Sequence, residues 1–202
     1  MSKTVKIAEK AGFCFGVDRA VKMVYDLLSE GKKVCTLGPI IHNAQLVAEL
    51  ESKGVRTVSS PSEVNPDETL VIRSHGVSRE VYEEAEKLGV AVADATCPFV
   101  ARIHRIVEEE SAKGRAVLIF GKSGHPEVIG IAARCKTPLI AETHENLREI
   151  LDKWADKPLS VVCQTTFQKE ICVEFVKIVK NTCNLPQIFD TICNATDLRQ
   201  SE

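Results

Sequence analysis

The chain has 202 residues, of which 44% are hydrophobic and only 5% aromatic, so it can form one large domain or two small ones with mainly aliphatic cores. Its formal net charge is -2 with acids and bases interleaved, which excludes the basic stripe of a nucleic-acid-binding protein and a basic membrane-binding cluster. The first residues, MSKTVKIAEKAG, contain no apolar leader, and no apolar run approaches the roughly 18 residues of a membrane span. We therefore expect a cytoplasmic protein that binds neither nucleic acid nor membrane.

Predicted strands and helices alternate along the chain. Short β-branched segments predict strands in KVCTLGPII, TLVIRS, VAVADA, RAVLIFG, PLIAE, LSVVCQ and PQIFDTI. Helical periodicity predicts helices in VDRAVKMVYDLLSEG, AQLVAELESKG, REVYEEAEKLG and ARIHRIVEEESAKG. These four segments end at Gly31, Gly54, Gly89 and Gly114, which are typical left-handed caps of helix C-termini. Strands separated by helices of this length predict an α/β fold of βαβ units with parallel sheets.

A long-period repeat divides this alternation into similar units. Cys14 precedes His42 by 28 residues, and Cys97 precedes His125 by the same interval, with a helix, a Gly and a strand between them each time. The segment DTIC, which ends at Cys193, matches DATC, which ends at Cys97. The repeat therefore predicts three similar units, the third largely missing. We expect the first unit at residues 14–97, the second at 98–193, and remnants of the third at 1–13 and 194–202.

The repeated cysteines lie where ligands bind in parallel sheets. Cys14, Cys97 and Cys193 each follow a strand and precede a helix, and N-termini of helices stabilise thiolates, lower their pKa and favour metal binding. Eight cysteines are many for a reducing compartment, so metal ligation or redox chemistry is the first hypothesis. Three others lie in apolar runs and are expected to behave as small buried hydrophobic residues: Cys35, Cys163 and Cys172.

Further polar residues occupy the same kind of strand-to-helix corner. They are His42, His75, His125 and Thr165. A single His before Gly or Pro is more often an ordinary turn residue, but here the pattern recurs. If the units close around a pseudo-threefold axis, these side chains meet the three cysteines at the centre. His104 and His144 lack this context and are expected to be solvated or partly buried structural residues.

The cysteine spacing favours an iron–sulfur cluster. Ligands more than 80 residues apart do not resemble the paired Cys-x-x-Cys ligands of zinc ribbons or thioredoxin-like proteins. Three thiolates suit a cluster in which one iron lacks a protein ligand and can bind substrate, whereas structural metal sites normally fill every position. This interpretation predicts an enzyme.

The motifs as a set resemble one enzyme family. AGFCFGVDRAV, IIHN, SHGVS, DATCPFV, GHPEV, QTT and DTICNAT occur in the order and spacing of the 4-hydroxy-3-methylbut-2-enyl diphosphate reductase (LytB) family. The resemblance implies a trefoil-like protein of three α/β domains around a central [4Fe-4S] cluster, held by Cys14, Cys97 and Cys193. It also implies two-electron reductive dehydration of an allylic alcohol diphosphate to isopentenyl and dimethylallyl diphosphate, with ferredoxin or flavodoxin as the electron donor.

The resemblance assigns roles to the remaining corner residues. His42, His75, His125 and Thr165 are expected to bind the substrate, and the imidazoles would supply hydrogen-bond donors and cations to its diphosphate. The catalytic residues implied are His125, Glu127 as the acid, and Thr165 as the hydroxyl that positions the substrate oxygen and relays the proton. From the residues alone, Glu127 is more simply a first-turn carboxylate that stabilises a helix N-terminus.

The resemblance also leaves alternatives open. Family members continue for roughly another domain, where it places a Ser-x-Asn pair and a later Ser of the diphosphate pocket. We therefore expect residues 1–202 alone to bind a cluster poorly and to show little reductase activity. One alternative is a non-catalytic two-domain fragment or binding module, and a less favoured one is a zinc hydrolase that uses histidines and Glu127. Pairing of Cys14 with Cys97 in a disulfide would report loss of the cluster.

Overall fold

The computed structural model describes residues 12–200, which form two four-stranded parallel sheets covered by helices. The first sheet contains β1 (Lys33–Leu37), β2 (Arg56–Val58), β3 (Glu68–Ile72) and β4 (Ala91–Asp94). The second contains β5 (Ala116–Phe120), β6 (Pro138–Ala141), β7 (Leu159–Cys163) and β8 (Gln187–Ile188). The predicted α/β fold with repeated parallel sheets is confirmed.

Eight helices and one 3₁₀ turn accompany the strands in the described part of the chain. The helices are α1 (Phe15–Ser29), α2 (Ala44–Ser52), α3 (Arg79–Lys87), α4 (Pro98–Ala112), α5 (Pro126–Ala132), α6 (His144–Trp154), α7 (Lys169–Thr182) and α8 (Asn194–Gln200). The 3₁₀ turn is Pro61–Glu63. None of these helices is both long enough and apolar enough to cross a membrane.

The two sheets share one topology. Their strand orders are β2-β1-β3-β4 and β6-β5-β7-β8, so in each sheet the first strand in sequence lies between the second and the third. Every pairing is parallel, and each strand is followed by a connection that returns to the opposite end of the sheet. All four carboxyl ends of a sheet therefore meet at one edge, where its strand-to-helix corners lie.

Backbone conformation explains where the helices and strands end. Gly31, Gly54, Gly89 and Gly114 have φ of 74°, 90°, 69° and 78°, the left-handed geometry expected of glycine after a helix. Strand β1 ends at Leu37, earlier than the apolar run KVCTLGPII predicts, because Gly38 turns the chain with φ 67° and Pro39 follows. The PQIFDTI segment forms only the two-residue strand β8.

Each sheet is buried on both faces, as helices on both sides require. In the second sheet, Leu118 and Phe120 face one apolar cluster with α6 and α7, while Val117 and Ile119 face another with α4 and α5. Each large aliphatic side chain so buried contributes about 1.5–3 kcal/mol relative to exposure. Two further clusters cover the two faces of the first sheet. These cores hold the polar corners at fixed positions.

Candidate active site

One cavity of about 290 Å³ lies where the carboxyl edges of the two sheets face each other. Every corner residue singled out in the sequence contributes to its wall. They are Cys14, His42, His75, Cys97, His125, Glu127, Thr165 and Cys193. The structure therefore brings together side chains from seven separate segments of the chain.

The three cysteines reach the cavity from the starts of helices. Cys14 and Cys97 are the N-cap residues of α1 and α4, and Cys193 directly precedes α8. Backbone hydrogen bonds tie two of them to neighbouring corners. The N–H of Cys97 donates to the Ser74 carbonyl at 2.9 Å, and the N–H of Cys193 donates to the Thr165 carbonyl at 3.1 Å.

The first turn of α1 packs closely against Cys97 because Gly16 has no side chain. A Cβ placed on Gly16 would lie only 2.5 Å from the Cys97 Sγ, so Gly16 leaves room for this thiol. Arg19, one turn further along α1, donates to the carbonyls of Thr96 at 3.1 Å and Asp94 at 3.3 Å. The start of α1 is therefore held against the loop that carries Cys97.

The expected lowering of thiol pKa at helix N-termini is wrong for Cys97. Its pKa is raised, because burial outweighs the lowering by the N–H groups of Phe99 and Val100. The neighbouring thiols of Cys14 and Cys193 raise it further. Three thiols that line one cavity are suited to a cation that all three can bind.

The three imidazoles form a compact cluster on the wall of the cavity. The ring centroids of His42 and His75 are 4.9 Å apart, those of His75 and His125 5.3 Å, and those of His42 and His125 5.8 Å. One ring nitrogen from each lies within 4.8 Å of the other two, so the trio could also hold a metal ion. Within the described chain, the buried Nδ1 of His75 has no hydrogen-bond partner.

Two of these imidazoles do not supply the positive charge expected from the sequence. Burial, the rings of His42 and His125, and the Arg73 guanidinium lower the pKa of His75 to about 3. Burial, His42, Arg73 and Lys122 also lower the pKa of His125. At neutral pH both rings are therefore neutral, with one N–H donor and one acceptor nitrogen each. Burial and the neighbouring positive groups therefore oppose the positive charge expected of these two rings.

A buried carboxyl and a hydroxyl form another part of the cavity wall. Glu127 is only 2% exposed, and its two oxygens accept hydrogen bonds from the backbone N–H of Thr165 at 2.7 Å and from its hydroxyl at 2.8 Å. Burial raises the pKa of Glu127, although both hydrogen bonds lower it. Because a raised pKa favours the protonated acid, this pair can hold a proton and pass it through the Thr165 hydroxyl.

Local capping interactions orient the histidine corners. His125 is the N-cap of α5, and its Nδ1 accepts from the Glu127 N–H at 3.2 Å, which fixes one ring nitrogen. Asn43, next to His42, caps α2 by accepting from the Leu46 N–H at 3.0 Å. The first-turn position of Glu127 anticipated from sequence is therefore correct, but its carboxyl faces Thr165 and the cavity.

Sequence reasoning missed a glutamine that links two corners. Gln164 Oε1 accepts from the Lys122 N–H at 3.1 Å, and its Nε2 donates to the Thr166 hydroxyl at 3.0 Å. It thereby joins the loop before His125 to the loop that contains Thr165. The QTT motif gave a signal for its threonines, but an amide before them has no distinctive spacing.

Several residues expected outside the site do lie outside it. His104 is buried in α4 at 5% exposure, so it is structural but not solvated. His144 lies at the start of α6, where its ring contacts Glu174 at 3.2 Å. Neither lines the cavity.

The interpretation of Cys163 and Cys172 as independent buried hydrophobic residues needs correction. Both are buried, as is Cys35, but the structure pairs Cys163 with Cys172 in a disulfide. The loop at residues 164–168 folds back so that the last residue of β7 meets the first turn of α7. Cys14 and Cys97 are free thiols, so the possible disulfide between them is not formed.

Comparison with known proteins gives consistent matches. The sequence model of the LytB protein family matches residues 5–202. The 4-hydroxy-3-methylbut-2-enyl diphosphate reductase of Clostridioides difficile is 40% identical, and the alignment covers 97% of this chain and 71% of the relative. The reductase of Aquifex aeolicus is 41% identical over 96% of this chain and 68% of its own length.

Solved structures agree with the sequence matches. A structure of (E)-4-hydroxy-3-methyl-but-2-enyl diphosphate reductase, described as the terminal enzyme of the non-mevalonate pathway, is 40% identical with a TM-score of 0.84. The alignment covers 98% of this chain and 70% of that one. The Plasmodium falciparum reductase is 28% identical with a TM-score of 0.85, covering 94% of this chain and 61% of its own.

Proposed function

Because this chain belongs to the LytB protein family, we propose that it acts in isoprenoid biosynthesis as a 4-hydroxy-3-methylbut-2-enyl diphosphate reductase. The proposed reaction takes up two electrons and two protons, releases the allylic hydroxyl as water, and gives isopentenyl and dimethylallyl diphosphate by the methylerythritol phosphate route. The observation that carries this proposal is one cavity lined by three thiols, three imidazoles and a buried carboxyl–hydroxyl pair.

The three thiols fit a [4Fe-4S] cluster. Cys14, Cys97 and Cys193 are soft donors that line one cavity, and Gly16 leaves the space that Cys97 needs. We assign all three as cluster ligands. When bound, such a cluster supplies electrons and a Lewis-acidic iron.

The imidazole cluster fits the diphosphate end of the substrate. His42, His75 and His125 present ring nitrogens within 4.8 Å of one another, close enough for N–H groups to reach oxygens of one diphosphate. Since His75 and His125 are neutral, their contribution is hydrogen bonding and orientation. A multidentate anion held in this way fixes the position of the allylic carbon chain inside the cavity.

The Glu127–Thr165 pair fits the proton-handling end. Thr165 would orient the substrate hydroxyl, and its own hydroxyl would pass a proton from the Glu127 carboxyl to the departing oxygen. Burial favours a protonated Glu127, which is the form that can donate. His125 lies beside the other two imidazoles and accepts a hydrogen bond from the Glu127 N–H, so we assign it to substrate binding and catalysis.

The remaining assignments are consistent with this activity. We propose that ferredoxin or flavodoxin delivers the electrons and that the protein works in the cytoplasm. We also propose unit boundaries at 14–97 and 98–193, around the two sheets. Of the segments at 1–13 and 194–202 assigned to a third unit, residues 1–11 and 201–202 lie outside the described residues.

Anaerobic reconstitution tests the cluster and the activity together. Because residues 1–202 alone are expected to bind the cluster poorly, the protein should take up fewer than about four irons per chain, and the loaded fraction should have the brown colour of a [4Fe-4S] cluster. Substitution of Cys14, Cys97 or Cys193 by Ser should abolish this uptake, whereas Cys135→Ser, at a free thiol outside the cavity, should not. Unchanged iron content in all three variants would contradict the ligand assignment.

A reduced-dye assay of substrate consumption tests the reaction. Because the chain covers about 70% of its relatives' length, we expect a polypeptide of residues 1–202 to show far less turnover than a full-length relative. Turnover comparable to that of the relative would refute this expectation, and turnover lost in Glu127→Gln would support the acid assignment.

One observation favours a second candidate function, a zinc hydrolase. The His42, His75 and His125 nitrogens are close enough to share a zinc ion, and neutral imidazoles are the form that binds zinc. This candidate predicts a colourless protein that retains one zinc per chain in air and loses it when any of the three histidines becomes Ala. Iron uptake that depends on the cysteines, without retained zinc, excludes it.

A further inference from the structure

Arg73 occupies a protected position beside the imidazole cluster. It directly follows β3 and precedes His75 by two residues. Its guanidinium packs against the turn after the neighbouring strand β1, because a Cβ placed on Gly38 would lie 2.7 Å from Arg73 Nη1. The guanidinium therefore lies between the ends of β1 and β3, in space that is free because Gly38 has no side chain.

The charge of Arg73 has no partner in the described chain. Its Nε is buried without a hydrogen-bond partner, and no described carboxylate forms an ion pair with it. By contrast, the partly buried Arg115 and Arg134 pair with Glu110 at 3.3 Å and with Glu108 at 2.7 Å. Buried charges in proteins are normally paired, so an uncompensated guanidinium next to a cavity indicates an anionic ligand.

The imidazoles next to Arg73 are a weaker source of positive charge than its guanidinium. Burial and the nearby guanidinium lower the pKa of both His75 and His125. Lys122 also acts on His125, but its side chain is exposed and solvated. Arg73 is therefore the protected cation that remains charged at every physiological pH. A diphosphate brings about three negative charges, which N–H donors alone do not neutralise.

We propose that Arg73 is a positioning residue that supplies the fixed positive charge for the substrate's diphosphate, acting through His75 and the end of β3. This proposal rests on the proposed function and assigns a role to a residue that does not itself line the cavity. Gly38 supports this role of Arg73, because the missing side chain leaves the space in which the guanidinium lies.

Binding of inorganic diphosphate tests the proposal without the cluster or turnover. Calorimetry would compare the parent chain with Arg73→Gln, Arg73→Met and Arg73→Lys at low and moderate salt. We expect the neutral variants to bind about tenfold more weakly at low salt, and Arg73→Lys to stay within about threefold of the parent. Arg148→Gln, at an exposed site on α6, makes the same change in net charge and should bind like the parent.

The salt dependence separates a charge effect from a structural one. The affinity of the parent should fall more steeply with salt than that of Arg73→Gln or Arg73→Met, because only the parent loses a screened attraction. Arg73→Met keeps an unbranched side chain in this half-buried position, so it provides the test if Arg73→Gln fails to fold. Equal affinities and equal salt slopes in the parent and the folded neutral variant would overturn the proposal.

The outcomes for the proposed function and for Arg73 are distinguishable. A parent that binds diphosphate with the expected dependence on Arg73 but never reduces the allylic substrate contradicts the function alone. A parent that reduces the substrate while its neutral Arg73 variants bind diphosphate equally well contradicts the Arg73 proposal alone. A parent that binds no diphosphate overturns the Arg73 proposal directly.

Discussion

Two buried glutamates with opposite environments should respond in opposite ways to the same substitution. Glu127 and Glu110 are 2% and 4% exposed. Glu127 accepts hydrogen bonds only from Thr165 among the described residues, and burial raises its pKa. For Glu110 burial is the largest effect and acts to raise the pKa. Hydrogen bonds from Lys113 and Ser160, together with the charges of Lys113 and Arg115, outweigh it, so the pKa of Glu110 is lowered. Glu→Gln should therefore be tolerated at 127 and costly at 110.

The direction in which stability changes with pH depends on whether the folded or the unfolded protein binds the proton more tightly. A carboxyl with a raised folded pKa makes the parent less stable as pH rises from the ordinary value of 4.5 towards the folded pKa, by up to about 1.4 kcal/mol per pH unit. Glu127→Gln removes this loss, and its amide can still accept from the Thr165 N–H and donate to the hydroxyl. Its stability relative to the parent should therefore increase with pH. At pH 8 it should equal or exceed that of the parent.

Glu110 gives the matched opposite case. Its lowered pKa contributes stability above pH 4.5 that is lost as pH falls through the folded pKa. Glu110→Gln removes the charge that faces Lys113 at 2.6 Å and Arg115 at 3.3 Å. Because Lys113 is largely exposed, we expect a loss of about 1–3 kcal/mol at pH 7, less than for a fully buried ion pair.

Urea denaturation of the metal-free, reduced proteins at pH 4.5, 7 and 8 provides the measurement. The difference between each variant and the parent isolates the substituted residue from the other titrating groups. The reasoning is refuted if Glu127→Gln is less stable than the parent by more than about 1 kcal/mol at pH 8, or if that difference does not change with pH.

Two further substitutions test the packing around the cysteines and the capping of the histidine corner. Gly16→Ala places a Cβ 2.5 Å from the Cys97 Sγ and should at least halve the iron taken up on reconstitution. As a control, Gly124→Ala should leave iron uptake unchanged, because its Cβ meets no atom within 4 Å. Asn43→Ala removes the N-cap of α2, so it should lower the free energy of unfolding by about 1 kcal/mol and weaken diphosphate binding. Thr143→Ala, at the N-cap of α6, should lower the free energy of unfolding by a similar amount without changing diphosphate binding.

Periodicity and spacing predicted the parts of the structure that local physics controls. The equal Cys-to-His intervals correspond to two sheets of identical strand order, so each repeat places its cysteine and histidine at equivalent corners. Gly31 and Gly114 marked helix ends because only glycine adopts their positive φ without strain. The spacing of the cysteines favoured an iron–sulfur cluster, but the substrate and the reaction expected at those corners came only from the resemblance to a family.

Other features depend on tertiary environment and had weak sequence signals. Arg73 follows a strand in RSH, where a charged residue is normally solvated, and only the turn at Gly38 makes it protected. His104 lies on the same helical stripe as Val100 and Val107, a spacing that could have indicated its burial. The protonation of His75 depends on its neighbours from two sheets, which no local pattern records.

The two sheets share one topology, but their equivalent corners carry different side chains. The corner after the first strand carries His42 in one sheet and His125 in the other, but two residues later the first has Ala44 and the second has Glu127. The corner after the third strand carries an imidazole, His75, in one sheet and a hydroxyl, Thr165, in the other. Among the residues that line the cavity, the carboxyl group therefore comes from the second sheet only, so the two near-equivalent halves present different chemical groups to an elongated ligand.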